Sequence, residues 1–290
     1  MKNGMSAREG EVTRVLRRIA QTLDRGKYDE ALRDLLHLSE KYPDAGEIRP
    51  QIAEVLLRRG ESRARKGRLR EARDDFERAF HWSRRPAALV ALARTLMAEG
   101  KLDRADELLN AALEIDDRHG PTHEAIGHLL MRWEEYAEAA RAFEQALGLG
   151  HATPELYRAV WDAYMRLGRP ERAHELLVEG AGRFPDDAAL QAAAGDSFVL
   201  AHGDSDAARA YWERAVALDP RNAGALFSLA ADAAGRGDRA VALEFLRRAA
   251  AVDLESARRR WREDLASPLS KFADFARDSE FRAALGWVND

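Results

Sequence analysis

Cysteine is absent from this chain of 290 residues. The absence excludes a disulfide framework, a thiol nucleophile, an iron–sulfur cluster and a cysteine-based zinc site. An excess of charge of one sign is missing too, because 46 Lys and Arg stand against 50 Asp and Glu, for a formal net charge of −4. A general nucleic-acid-binding protein is usually basic overall, so the composition predicts no nucleic-acid partner.

Long apolar runs are also missing. No stretch approaches the roughly 18 uncharged apolar residues that a membrane-spanning helix needs, and the first eleven residues lack the apolar centre of a signal peptide. We therefore expect no membrane insertion and a cytoplasmic location. Arginine far outnumbers lysine and alanine is abundant, a composition typical of proteins from GC-rich bacterial genomes.

A repeated pattern runs through most of the chain. It consists of Ala, three residues, a large apolar residue, two residues and then usually a small one, and it recurs about every 34 residues. Spacings of three and four place these residues on one face of a helix. The copies are Ala31/Leu35/Leu38, Ala72/Phe76/Ala79, Ala105/Leu109/Ala112, Ala139/Phe143/Ala146, Ala173/Leu177/Gly180, Ala208/Trp212/Ala215 and Ala242/Leu246/Ala249.

A second helical pattern precedes each copy, as in His123-x-x-Ile126-Gly127-x-x-Leu130. Most copies have a glycine five residues before their alanine, where a preceding helix would end in a left-handed residue. Each unit is therefore predicted to be a helix–turn–helix. The sequence resembles the tetratricopeptide-repeat family, whose pattern is W-x₂-L-G-x₂-Y…A-x₃-F…P. These glycines include Gly26, Gly67, Gly100, Gly168 and Gly237.

The resemblance implies an all-α protein, a right-handed superhelical solenoid of seven helix pairs. The repeats are placed at 12–45, 53–85, 86–119, 120–153, 154–187, 188–222 and 223–254, with an insertion at 46–52 that either extends a helix or forms a hinge. Residues 1–11 are predicted to be disordered. Residues 255–290 are predicted to form capping helices, with Phe272, Phe275, Phe281 and Leu285 covering the last repeat, since an exposed end repeat would leave its apolar face in water.

Two repeats depart from the pattern. The first helix of repeat 2 is predicted to be long, from about Glu47 to Lys66. Its second half and the residues just after it form a basic run. That run is either a solvated helix end with its arginine stems on apolar neighbours or a docking site for an acidic partner. In repeat 5, Trp161 replaces the small residue found at Gly127 and Gly195, which predicts a local distortion. The basic residues are Arg58, Arg59, Arg63, Arg65, Lys66, Arg68 and Arg70.

By the family's geometry, the first helices line a concave groove. Met97, Met131 and Met165 fall at one position of successive repeats, where methionine would either receive a partner's apolar side chains or fill gaps between neighbouring helices. Arginines beside them would orient the partner. The groove residues predicted to bind a partner are Leu57, Val90, Arg94, Met97, Glu124, His128, Met131, Arg132, Arg158, Asp162, Met165 and Arg166.

Nothing in the pattern indicates catalysis, a cofactor or a bound metal. His123 and His128 are five residues apart, so their side chains do not converge on one side of a helix. The sequence therefore predicts a non-catalytic adaptor or scaffold that binds a peptide, helix or domain of another protein. Two alternatives stay open: a scaffold that assembles with copies of itself, and the regulatory subunit of an enzyme complex.

Overall fold

The computed structural model describes residues 2–203 and 205–287, with side chains from residue 10 onward. Within these residues the chain has sixteen α-helices, one short 3-10 helix and no strand. It divides into two compact units, an N-terminal unit of residues 1–151 and a C-terminal unit of residues 152–290. The fold is all-α, and consecutive helices pair and stack as in tetratricopeptide solenoids.

Eight helices form the N-terminal unit, as four successive pairs. In chain order they are α1 (Lys2–Asp24), α2 (Tyr28–Lys41), α3 (Ile48–Arg65), α4 (Leu69–Trp82), α5 (Pro86–Ala98), α6 (Leu102–Ile115), α7 (Gly120–Arg132) and α8 (Tyr136–Gly148).

The C-terminal unit contains three further pairs and a terminal segment. Its helices are α9 (Pro154–Arg166), α10 (Pro170–Arg183), α11 (Ala188–His202), α12 (Ser205–Leu218), α13 (Ala223–Gly235), α14 (Arg239–Val252), α15 (Leu254–Ala266), the 3-10 helix Ala273–Phe275 and α16 (Ser279–Ala284).

The segment expected to be disordered is helical, because α1 begins at Lys2. From Glu11 onward, α1 packs against α2, and Val12 and Ile19 are buried. Glu11 accepts hydrogen bonds from Lys41 Nζ at 2.7 Å and from Tyr42 Oη at 2.6 Å. These contacts hold α1 against α2 from Glu11 onward. In the insertion, residues 48–52 form the first turns of α3, with Ile48 and Ile52 buried, so the insertion extends a helix.

Turns between paired helices use a left-handed residue. At Gly100 the backbone has φ 77°, and the N–H groups of Gly100 and Lys101 donate to the carbonyls of Met97 and Leu96. This arrangement satisfies the last carbonyls of α5. Repeat 4 has Glu134 at φ 62° in the corresponding turn, a conformation that costs a residue with a side chain about 1 kcal/mol or more.

Close crossing within a pair needs one small residue. Gly60, Gly127 and Gly195 lie against the rings of Phe76, Phe143 and Trp212, and a methyl group on any of these glycines would overlap the ring. In repeat 5 the arrangement is reversed. Gly180 of α10 lies against Tyr157 of α9, where an added Cβ would be 2.6 Å from Tyr157 Cγ.

The distortion expected at Trp161 is thus an exchange of the small and the large residue between the two helices of repeat 5. The small residue of repeat 5 is on the second helix, and Trp161 itself is partly buried. Its indole Nε1 is buried and has no hydrogen-bond partner among the described residues. An unpaired buried donor of this kind costs about 1–3 kcal/mol.

The end of the C-terminal unit is covered by aromatic residues. Phe272, Phe281 and Leu285 are fully buried in one cluster with residues of α13, α14 and α15, and Phe275 packs against that cluster. Asp264 positions Phe272, because its Oδ1 accepts from Phe272 N at 3.1 Å and from Ser270 Oγ at 2.5 Å. Arg239 of α14 fastens α16 through Asp278 at 2.9 Å.

A candidate protein-binding groove

The first helices α3, α5 and α7 of the N-terminal unit border a groove of about 510 Å³, called here the first-helix groove. Its walls come mainly from α3 and α5, the first helices of repeats 2 and 3. The lining residues are Glu61, Ala64, Arg65, Leu69, Phe76, Ala87, Val90, Ala91, Arg94, Thr95, Ala98, His119 and Pro121.

Small apolar side chains form the floor of this groove. Ala64, Ala87 and Ala91 are half-buried, Ala98 is exposed and Val90 is 4% exposed. The hydroxyl of Thr95 donates to the carbonyl of Ala91 at 2.9 Å, so it is satisfied within α5. Alanine and valine leave room above the backbone, and the groove can therefore receive larger apolar side chains of a partner.

Charged residues stand at the edge of the groove. Glu61 and Arg65 are exposed and take part in no ion pair among the described residues. Arg94 is half-exposed and donates to Glu124 Oε2, which ties α5 to α7. The groove thus presents an apolar floor with charges of both signs on its rim, a combination typical of protein interfaces.

Glu124 is the centre of a polar cluster behind the rim. The residue is 7% exposed, and besides Arg94 it contacts His151 Nε2 at 3.2 Å and His128 Nε2 at 3.9 Å. Burial lowers the pKa of His128; the nearby Glu124 carboxylate opposes this shift and Arg94 adds to it. Because His128 also lies edge-on to Phe143, with ring centroids 5.1 Å apart, it is part of the packing as well as of the cluster.

His119 and His123 have local roles. His119 Nδ1 lies 2.7 Å from Thr122 Oγ1, and His123 Nε2 lies 2.8 Å from the carbonyl of Asp117. Burial lowers the pKa of His119. Over the described part of the chain, no three His, Asp or Glu side chains are grouped so as to hold a metal ion.

The structure places the predicted groove residues of the N-terminal unit in different surroundings. Val90 and Arg94 line the groove, and Glu124 and His128 lie behind it. Met97 is 8% exposed and packs in the core with Leu96 and Leu129, which is the gap-filling position left open by the sequence. Leu57 also packs against the core, Met131 is half-buried and Arg132 is exposed.

The remaining predicted groove residues belong to the C-terminal unit. Arg158 pairs with Glu155 at 3.2 Å and lies 3.8 Å from Asp187. Asp162 and Arg166 form an ion pair along α9 at 3.6 Å. Met165 is half-buried.

The basic run of repeat 2 is partly internal. Arg59 is 9% exposed and donates to Asp75 at 3.0 and 2.6 Å and to Asp29 at 2.5 Å. Arg63 donates to the same Asp75 at 2.6 Å. These two arginines neutralise a buried carboxylate between α3 and α4, so they are not part of a free basic surface.

The other members of the run lie at the surface. Arg58 pairs with Glu54 at 2.7 Å, and Arg68 pairs with Glu71. Arg65, Lys66 and Arg70 are exposed and make no ion pair within the described residues. The free basic surface is therefore confined to the turn between α3 and α4.

Two residues at the polar cluster behind the rim were not singled out from the sequence. His151 follows α8 and has no periodic signal that would link it to Glu124. Gly120, at the start of α7, lies so close to His151 Cβ that a methyl group there would overlap it, and this close approach becomes visible only once α7 and α8 are paired.

Comparison with models of protein families identifies the family of this chain. Models described as tetratricopeptide repeat match residues 63–125, residues 22–80 and 199–257, and residues 121–149. Together these matches cover well over half of the chain. The protein belongs to the tetratricopeptide-repeat family, whose members generally mediate protein–protein interactions. None of the curated proteins is significantly similar to it in sequence.

Solved structures share the fold at low identity. PilF of Pseudomonas aeruginosa is 18% identical, with a TM-score of 0.61 over 78% of this chain and 97% of that one. A tetratricopeptide-repeat protein from Parabacteroides merdae is 16% identical, with a TM-score of 0.53 over 85% and 96%. YrrB, described as having an unusual peptide-binding site, is 23% identical, with a TM-score of 0.50 over 61% and 92%. At such identities the likeness shows the fold alone.

Among the described residues, no helix has the length and apolar character needed to cross a membrane.

Proposed function

We propose that the protein is a non-catalytic interaction module that binds a segment of a partner protein in the first-helix groove. The observation that supports it most is the groove itself, about 510 Å³ with an alanine- and valine-rich floor and charges of both signs at the rim. The role that is general in the family and the peptide-binding site ascribed to YrrB agree with this proposal. An adaptor and a regulatory subunit of an enzyme complex would use the groove in the same way.

A small number of contacts would supply most of the affinity. Apolar side chains of the partner would fill the space over Ala64, Ala91 and Ala98, and buried apolar anchors usually dominate binding energy. Arg65 and Arg94 would contact polar or acidic groups of the partner at the rim. Met97 would act indirectly, by supporting α5 from the core.

A displayed library of random peptides tests the proposal. Peptides selected on the wild-type protein are measured against Ala98→Trp, which fills the groove at an exposed position, and against Ala210→Trp, an exposed alanine of α12 in the C-terminal unit. We expect Ala98→Trp to weaken binding at least about tenfold through steric exclusion, while Ala210→Trp binds normally. Equal binding to all three proteins would contradict the groove assignment.

A further inference from the structure

The second helices of the N-terminal unit carry a separate groove. It lies between α6 and α8, has a volume of about 560 Å³, and has Leu113, Ile126 and Ala142 among its apolar lining residues. Asp117 and Glu138 line it as well. None of these residues lines the first-helix groove, so the two grooves can be tested independently. The groove between α6 and α8 is called here the acidic groove.

Unpaired carboxylates border the acidic groove. Asp103, Glu107 and Glu114 follow one face of α6, which they share with the groove residue Asn110, and Asp117 follows the end of the helix. All four are exposed, and none forms an ion pair with another described residue. The nearby basic residues are fewer: Arg141 lines the groove but is paired with Glu138 at 3.0 Å, and Arg104 and Arg118 are exposed beside the four carboxylates.

The C-terminal unit shows that this acidity is not a general property of the repeat. Its corresponding groove, between α10 and α12, has a volume of about 440 Å³ and is lined by Pro185, Gln191, Tyr211 and Arg214, with no carboxylate in the lining. Arg214 is already engaged there, donating to the carbonyl of Pro185 at 2.9 Å.

A complementary surface exists on the same chain. Residues 65–70, at the turn between α3 and α4, contain four basic residues and no acidic one; they are called here the basic turn. Lys66 and Arg70 are exposed and outside any ion pair of the described residues. A turn projects beyond its helices, so its side chains can enter a groove on another molecule.

We propose that the acidic groove of one molecule binds the basic turn of a second copy, so that the protein associates with itself through a charge-complementary contact. Opposite potentials steer such an encounter and fix its register. Because the contact is largely polar and exposed, it is weakened by salt. This self-association goes beyond the proposed function; the acidic groove shares no residue with the first-helix groove, and Lys66 and Arg70 of the basic turn are not in its lining.

Sedimentation velocity with charge-reversal variants tests the proposal. The groove variant is Glu107→Lys with Glu114→Lys, and the turn variant is Lys66→Glu with Arg70→Glu. The matched control is Glu213→Lys with Glu244→Lys, which changes the net charge as the groove variant does but at exposed positions of α12 and α14. Each protein is run from about 10 µM to about 1 mM, where weak contacts become populated, at low and high salt.

We expect the wild type and the control to gain mass with concentration at low salt and to lose it at high salt. The groove variant and the turn variant should each associate at least about tenfold more weakly. An equimolar mixture of the two should associate again, because the reversed groove of one then faces the reversed turn of the other.

Four results would overturn the proposal: a wild type that stays monomeric throughout, a groove or turn variant that associates like the wild type, a control as weak as the groove variant, or a mixture that does not recover. Binding of a library-selected peptide to the first-helix groove serves as a separate readout. It should be the same in the groove variant and the wild type, so that failure of self-association and failure of the proposed function are distinguishable.

Discussion

Arg94 of α5 donates a hydrogen bond to the buried carboxylate of Glu124 in α7, and this pair joins two of the helices that border the first-helix groove. Arg94 is at the rim, whereas Glu124 is the anchor behind it. The same arginine that we propose to contact a partner therefore also holds the groove together, and a partner's carboxylate would compete with Glu124 for it.

The first prediction concerns this pair. Arg94→Ala should lower the free energy of unfolding by about 1–2 kcal/mol, because it leaves a buried carboxylate with fewer partners. Combining it with Glu124→Gln should cost less than the two single changes added together. Urea unfolding of the four proteins measures the coupling, and strict additivity would show that the pair contributes nothing to stability.

The second prediction concerns the ion cluster of repeat 2. Asp75 is 1% exposed and is the shared acceptor of Arg59 and Arg63. Asp75→Ala should destabilise the protein by about 3–5 kcal/mol, since it leaves a buried guanidinium without its main partner. The neighbouring Asp74→Ala, at an exposed position, should change stability by less than about 0.5 kcal/mol. Similar losses in both variants would be evidence against the buried cluster.

The third prediction concerns the reversed packing of repeat 5. Gly180→Ala should destabilise by about 1–3 kcal/mol, because the methyl group meets the ring of Tyr157. Gly182→Ala, two residues further along α10, has nothing within 4 Å of the added Cβ and should stabilise by about 0.5–1 kcal/mol. Thermal unfolding compares them, and the interpretation fails if both changes act in the same direction.

The fourth prediction is a pH dependence. Burial lowers the pKa of His128 in the folded protein below its ordinary value near 6.5, so between these two pKa values the unfolded chain binds more protons. The contribution of the neutral His128 to the free energy of unfolding is therefore fully present above about pH 6.5 and is lost as the pH falls toward the folded pKa. His119 and His174 shift in the same direction, also through burial.

Urea unfolding at several pH values between about 7 and 5.5 measures this slope above the range in which ordinary carboxylates titrate. His128→Gln should make the slope of stability against pH smaller, because it removes one of the three histidines whose pKa is lowered by burial. A slope that is unchanged in this variant would contradict a contribution from His128.

The recurrence of Ala31, Ala72 and their successors was sufficient to predict the pairs and the turns, because each position has the same local role in every copy. The recurrence also indicated a small residue, such as Gly127 or Gly195, on the first helix of a pair. It did not predict the exchange at repeat 5, since Tyr157 and Gly180 belong to different helices and only their packing shows which one makes room.

The basic run was the least predictable part of the site. Nothing in residues 58–70 reveals that the buried Asp75 and the exposed Asp29, 16 and 30 residues away from Arg59, are its partners. For the same reason Met97 could be placed on a helix face but not assigned to groove or core, because the packing of α6 and α7 decides its exposure. The start of α1 lay outside the predicted first repeat, which began only at residue 12.

Photo-crosslinking tests the central claim most directly. A photoreactive phenylalanine analogue is placed at Ala98 in the first-helix groove or at Ala210 in the C-terminal unit, and the protein is irradiated in the cells that naturally produce it. Our account predicts a discrete crosslinked partner from position 98 that is absent from position 210 and is lost when Arg94→Ala and Ala64→Trp are added. A partner captured only from position 210, or one indifferent to those two changes, would contradict it.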